Sequence, residues 1–206
     1  MTTTTVTGLY DTYDAAARTV RDLEAAHIPY ADISMVAHRS DATVASGTPP
    51  SGAATGAEAG ASAGAVLGGG TGLLAGLGML AIPGVGPVVA AGWLVATAVG
   101  AVAGAAAGGA TGGLIGSLIS SGVPKAHAHV YAEAVRRGGA LVTARVAEGL
   151  VATAEAIMRR HGRIDPAARE RAYRDTGWTE FDAASAPFTP AEVARERTIY
   201  PTELAI

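Results

Sequence analysis

The sequence predicts an α+β fold split by a long Gly/Ala-rich helical hairpin, with a C-terminal helical and extended tail. Three observations carry that prediction. Strand-like and helix-like segments alternate at both ends of the chain, over residues 4–38 and again over 124–164. Between them, residues 59–124 contain no charged residue and no histidine. Inside that stretch glycine falls at multiples of four: Gly60, Gly64, Gly68, Gly72 and Gly76, then Gly92, Gly100, Gly104, Gly108, Gly112 and Gly116.

The N-terminal elements follow from pattern. Residues 4–10, TTVTGLY, are rich in Thr and Val and predict a strand; Asp11-Thr12 then supplies a helix N-cap, with Asp14 in the first turn. Ala16, Val20 and Leu23 recur at helical spacing over residues 13–27, and Ile28-Pro29 ends the helix. Residues 33–38 alternate as a second strand, with Ile33, Met35 and Ala37 on one face. Residues 1–44 form the first half of the domain. Residues 45–58, which include Thr48-Pro49-Pro50-Ser51-Gly52, form a linker.

Residues 59–123 are expected to be the hairpin. A turn centred on Gly84 sets Gly76 across from Gly92, Gly68 from Gly100, Gly64 from Gly104 and Gly60 from Gly108. Spacing of four stacks residues on one helix face, and glycine there lets two backbones approach closely. Glycine in a helix costs about 1 kcal/mol relative to alanine, so packing has to hold such rows together. A flexible Gly/Ala linker is the plainer reading, but random coil has no reason to keep a period of four. At about 1.5 Å per residue an arm is long enough for a bilayer core of about 30 Å. Its hydrophobicity is weak, since only eight of the 24 residues from 59 to 82 are large and apolar. The tip, Ile82-Pro83-Gly84-Val85-Gly86-Pro87, is apolar as well, which suits a hairpin that dips in and returns or one buried in protein.

Residues 124–165 supply the second half. Pro124 opens a helix that runs to Arg137, cations occupy its last turn, and Gly138-Gly139 stops it. Residues 140–146 read as a strand with Val142, Ala144 and Val146 inward. The helix of residues 148–161 carries a core face of Leu150, Val151, Ala154, Ile157 and Met158, and Gly162-Arg163-Ile164 suits a short last strand. Strand, helix, strand on each side of the insertion is the pattern of a split ferredoxin-like domain. The tail, residues 166–206, holds a helix begun at Asp165-Pro166 and stopped at Gly177, and a capping box at Thr189-Pro190-Ala191-Glu192. Trp178, Phe181, Phe188 and Tyr200 need a surface there: either the chain's own α+β domain or an interface with a neighbouring subunit.

Composition excludes several chemistries. The net charge of −3 and the lack of a basic tract argue against nucleic acid as a partner. With no cysteine there is no disulfide framework, thiol nucleophile or cysteine metal site. Gly68-Gly69-Gly70-Thr71-Gly72 and Gly84-Val85-Gly86-Pro87 lack the Lys-Ser/Thr or acidic partner of a phosphate loop. His127 and His129 are two residues apart, which on a helix turns their rings to different sides, away from a shared metal. Ser120-Ser121 has no evident base. Asp11/Asp14 and Glu180/Asp182 read as a helix-start pair and a solvated loop. No catalytic residue, cofactor site or metal site is expected, and the chain is not expected to be an enzyme.

The segments TVTGLYDTYDAAARTVRDLEAAHIPYADISMV and RRGGALVTARV, the latter followed by an alanine-rich helix, resemble the bacterial general-stress-protein family in which a glycine-rich segment is inserted into a ferredoxin-like domain. The likeness covers residues 4 to 165 and lies in order and texture. It implies a stress-associated, non-enzymatic protein and supplies no catalytic residues.

The leading functional expectation is a membrane-associated protein that self-associates through its glycine zipper, with the lipid bilayer and further copies of itself as partners. The start, MTTTTVTGLYD, lacks a basic n-region and an apolar core, so no signal peptide is expected. The body is placed in the cytoplasm, with the hairpin at or in the inner membrane. The weak arms and the aromatic tail favour an alternative: a soluble homo-oligomeric scaffold with the hairpins bundled in its core. A small-ligand sensor built on the ferredoxin-like sheet stands on fold analogy alone.

Overall fold

The computed structural model describes residues 3–38, 78–82, 85–94 and 113–200. Strand β1 (Thr3–Tyr10) leads into helix α1 (Tyr13–Ala25). Thr12 caps that helix, its hydroxyl accepting from the Ala15 N–H at 3.3 Å. Strand β2 (Ile33–His38) follows, buried along its whole length. Strands β3 (Gly78–Ile82) and β4 (Gly86–Gly92) come next, then helices α2 (Leu114–Ser120) and α3 (Lys125–Arg136) and strand β5 (Ala140–Ala147). Helices α4 (Val151–Arg160), α5 (Pro166–Asp175) and α6 (Pro190–Ile199) complete the order.

The strands form one antiparallel sheet in the order β1-β5-β2-β4-β3. Strand alternation divides the core into two layers. Ile33, Met35, Ala37, Val142, Ala144 and Val146 face α1 and α4, where Ala16, Val20, Leu23, Ala154, Ile157 and Met158 meet them. Leu9, Val36, Val88, Ala90 and Leu141 face the other way, onto α2, α3 and Tyr173 of α5. The result is a mixed α+β fold in which a sheet is covered on both faces. Ile164 pairs with Leu9 as an isolated antiparallel bridge on the open side of β1, where the sequence suggests a short last strand.

The central expectation needs correcting. Part of the segment read as a helical hairpin is a β-hairpin. Its pairing, from Gly78↔Ala90 to Ile82↔Gly86, keeps the symmetry about residue 84 that the glycine rows show, so the turn lies where expected and the arms differ. Two causes act together. Val88 and Val89 favour strand, and glycine disfavours helix. Strand β2 also offers an edge, onto which β4 pairs from Ser34↔Gly92 to His38↔Val88. Pairing there satisfies backbone groups and buries Val88, Val89, Ala90 and Ala91.

Membrane association is corrected too. No helix among the described residues is long and apolar enough to cross a membrane. Within residues 59–123, helix α2 is seven residues long. The bilayer as a partner and a place at the inner membrane therefore lose their structural basis. Of the two readings, the scaffold carried by an α+β body stands closer to this structure, but the described part of its hairpin segment includes a β-hairpin where bundled helices were expected.

Candidate functional site

The second face of the sheet is where space and charge collect. Helix α3 runs across it because Ala128, Tyr131, Ala132 and Val135 fall on one side, buried against Leu9, Leu141 and Val36. It stops where the sequence says it should. Gly138 sits at φ +103, its N–H bonds to the carbonyl of Val135, and the Gly139 N–H reaches back to that of Ala134 at 2.9 Å. Helix α5 ends the same way at Gly177, after which Trp178 packs edge-on against Tyr173 with ring centroids 5.8 Å apart. That stop aims the tail back over the sheet face.

A groove of about 390 Å³ opens between four walls. The β-hairpin turn gives Ile82 and Val85, and α2 gives Leu114, Ile115 and Ile119. Helix α3 gives Lys125, His129 and Ala132 at i, i+4 and i+7, and the tail gives Glu180, Phe181 and Ala183. The walls are mainly aliphatic, with Phe181 the aromatic member and Lys125, His129 and Glu180 the polar ones. Apolar concavity with a few polar groups is the usual form of a small-ligand site.

A charged latch holds the tail wall in place. Glu133 of α3 is fully buried and accepts from Arg136 Nη2 and Arg137 Nε, both at 2.6 Å. Arg137 also reaches Glu196 of α6 at 3.1 and 3.2 Å, while its guanidinium lies 4.3 Å from the Tyr173 ring and 5.4 Å from Phe188. Arg136 donates to the Ala186 carbonyl at 3.2 Å and stacks at 4.8 Å on Phe188. Burial opposes the charge of Arg137, but the Glu133 hydrogen bond and the charges of Glu133 and Glu196 outweigh it and raise its pKa. Val193, the buried residue of α6, seats directly on Gly138, where a Cβ would collide with its Cγ1. Arg169 of α5 closes the far side, 2.9 Å from Asp11 and 4.9 Å from the Tyr200 ring. Burial pushes the Tyr173 phenol well above its ordinary pKa, with the charges of Arg169 and Arg137 pulling the other way.

The aromatics expected at an interface thus have an intramolecular home. Trp178, Phe181 and Tyr200 pack against the second-face core, and Phe188 lies under Arg136 and Arg137. Of the two surfaces expected for these aromatics it is the chain's own domain that they meet, and among the described residues nothing supports the expected self-association. Among the assembly glycines, Gly92 and Gly116 are described, and neither lines a helix–helix seam. Gly92 ends β4 at φ +94, so close to β2 that a Cβ would meet the Ile33 carbonyl and Ser34 Cα. Gly116 on α2 has nothing within 4 Å of where a Cβ would stand. Gly60, Gly64, Gly68, Gly72, Gly76, Gly100, Gly104, Gly108 and Gly112 lie outside the described residues.

His127 leans on Tyr131 with centroids 6.3 Å apart, whereas His129 lines the groove; among the described residues no group of three His, Asp or Glu side chains is placed to hold a metal. Asp11 serves the Arg169 pair as well as the helix start. Asp182 does lie in an exposed loop, where hydrogen bonds from the Ala184 N–H and the Ser185 hydroxyl lower its pKa. Glu133 escaped sequence reasoning. The signal was there: an acid three and four residues before two arginines, on the apolar stripe of an amphipathic helix. The groove left no such signal, because its walls come from four segments distant in sequence. Protein-family models, curated proteins and solved structures were compared with the chain, and none matches it.

Proposed function

We propose that this protein is a non-catalytic binding protein on a ferredoxin-like core, of the general-stress type, that holds an apolar ligand group in the groove between α2, α3 and the tail. The core reading draws support from topology. β1-α1-β2 is one strand-helix-strand unit and β5-α4-Ile164 the other, giving the antiparallel order Ile164, β1, β5, β2 with β5 between β1 and β2, as in a split βαβ fold. The β4–β3 hairpin extends the β2 edge. The stress association rests on the likeness of residues 4 to 165 to that family. A non-catalytic role agrees with the use of Glu196, Asp11 and Asp22 in ion pairs that join elements.

The groove is the observation that carries the binding role: about 390 Å³ of aliphatic concavity built by side chains from four segments. Titration with a hydrophobic fluorophore such as 8-anilinonaphthalene-1-sulfonate tests it. Saturable binding to the folded protein is expected, and Ile119→Trp, which fills the groove from its rim, is expected to abolish it without lowering Tm. Saturable binding of equal strength in that variant contradicts the reading.

A further inference from the structure

The polar groups of the groove are unevenly placed. Lys125 and His129 stand one turn apart on α3, on the stripe that forms one wall. They sit at the N-terminal end of a 12-residue helix, where unsatisfied N–H groups and the helix dipole present partial positive charge. Pro124 supplies no side-chain cap there, and the first turn holds no acid. His129 Nδ1 is buried without a hydrogen-bond partner. On the facing wall Glu180 is exposed, carried by the tail. The α3 wall of an aliphatic groove therefore offers an ammonium and an imidazole one turn apart, and the tail wall a carboxylate.

We infer that the groove takes an aliphatic chain ending in an anionic head, with the chain along Ile82, Leu114, Ile119 and Phe181 and the head at Lys125 and His129. This rests on the groove being the binding site. A straight or branched chain suits these walls better than a flat aromatic ligand, because the lining is branched aliphatic with one ring. A carboxylate is the simplest head: it accepts from the Lys125 ammonium and from an imidazole N–H, both donors to an anion. Neutral chains of equal length gain the same apolar burial and lack that pairing.

Calorimetric titration of the full-length protein at pH 7 with decanoate and with decanol, each below its aggregation limit, separates head from chain. Decanoate is expected to bind about five-fold more tightly than decanol, the size of one partly solvated charge pairing. Lys125→Gln should bring the two within about three-fold by weakening decanoate alone, and Glu180→Gln should strengthen decanoate about two- to three-fold. Ile119→Trp should remove both. Equal affinities for the two ligands, both lost in Ile119→Trp, overturn the anionic head and leave the groove reading intact. Binding of neither ligand, together with no saturable fluorophore binding, overturns both. Decanoate binding that survives Ile119→Trp places the anion elsewhere and overturns the inference.

Discussion

The two faces of the sheet are built on different principles. The face under α1 and α4 is closed mainly by apolar side chains: Val20, Leu23, Ile33, Met35, Val142 and Met158 are buried there, together with the Tyr10 phenol, which donates to the Met158 carbonyl at 3.4 Å. Its main polar tie is peripheral, His161 to Asp22 at 2.8 Å. The face under α2, α3 and α5 also has an apolar floor, but its outer layer is fastened by ions and rings around Glu133, Arg136, Arg137 and Glu196, and it keeps a groove. Apolar burial is not directional and fills space, whereas an ion and stacking network fixes orientation and need not close every gap. The first face holds the domain together, and the second leaves room for a ligand.

Breaking each face at its centre should show the difference. Leu23→Ala removes a fully buried side chain and is expected to cost about 3 to 4 kcal/mol, read as one cooperative shift of the denaturant midpoint with no segment opening ahead of the rest. Glu133→Gln leaves Arg136 and Arg137 without their shared carboxylate. Because both arginines keep some solvent contact, about 2 to 3 kcal/mol is expected, with hydrogen exchange rising first in residues 186–197. Uniform exchange in both variants would erase the distinction drawn here.

Alkaline titration compares the faces through one phenol on each. Burial raises Tyr10, on the first face, and Tyr131, on the second, to about 12 from an ordinary value of 10.0. For Tyr131 the charge of Arg163 opposes that rise. A folded pKa above the unfolded one means the stabilisation is complete below pH 10 and lost as pH rises from 10 to 12. Each phenol should withdraw roughly 2 kcal/mol over that window. Tyr10→Phe or Tyr131→Phe should each flatten the loss of stability by about half, followed by urea midpoints at pH 9 and 11.5.

Smaller effects come from glycines. Gly138→Ala places a Cβ against Val193 at a left-handed backbone position and should cost about 1 to 2 kcal/mol while loosening α6. Adding Val193→Ala should recover part of it, a coupling that a double-mutant cycle reads directly. Gly92→Ala should destabilise by about 1 kcal/mol or more, because φ is +94 and β2 backbone is in the way. Gly116→Ala, in a helix with open space around it, should stabilise by up to about 1 kcal/mol. Equal signs for the last two would revive a common packing role for the glycine row.

The first face was nearly all legible in sequence, down to Val142, Ala144 and Val146 inward on β5 and Ala16, Val20 and Leu23 on α1. Local periodicity decides those elements, and each one signals its own buried side. Helix stops at Gly138 and Gly177 and the capping box at Thr189, where the hydroxyl and Glu192 exchange bonds, were equally local. The hairpin of residues 78–92 was not. A period of four in glycine is compatible with helix packing, but the open edge of β2, fifty and more residues away, is what draws Val88 to Ala91 into strand. The groove was illegible for the same reason: Ile82, Leu114, His129 and Phe181 meet only after the chain has folded.

Hydrogen exchange with and without saturating decanoate tests most directly whether the second face is the binding face. Added protection confined to α2, α3 and residues 178–183, with α1 and α4 unchanged, is the result this structure predicts. Protection that appears equally on α1 and α4, or there alone, would contradict it.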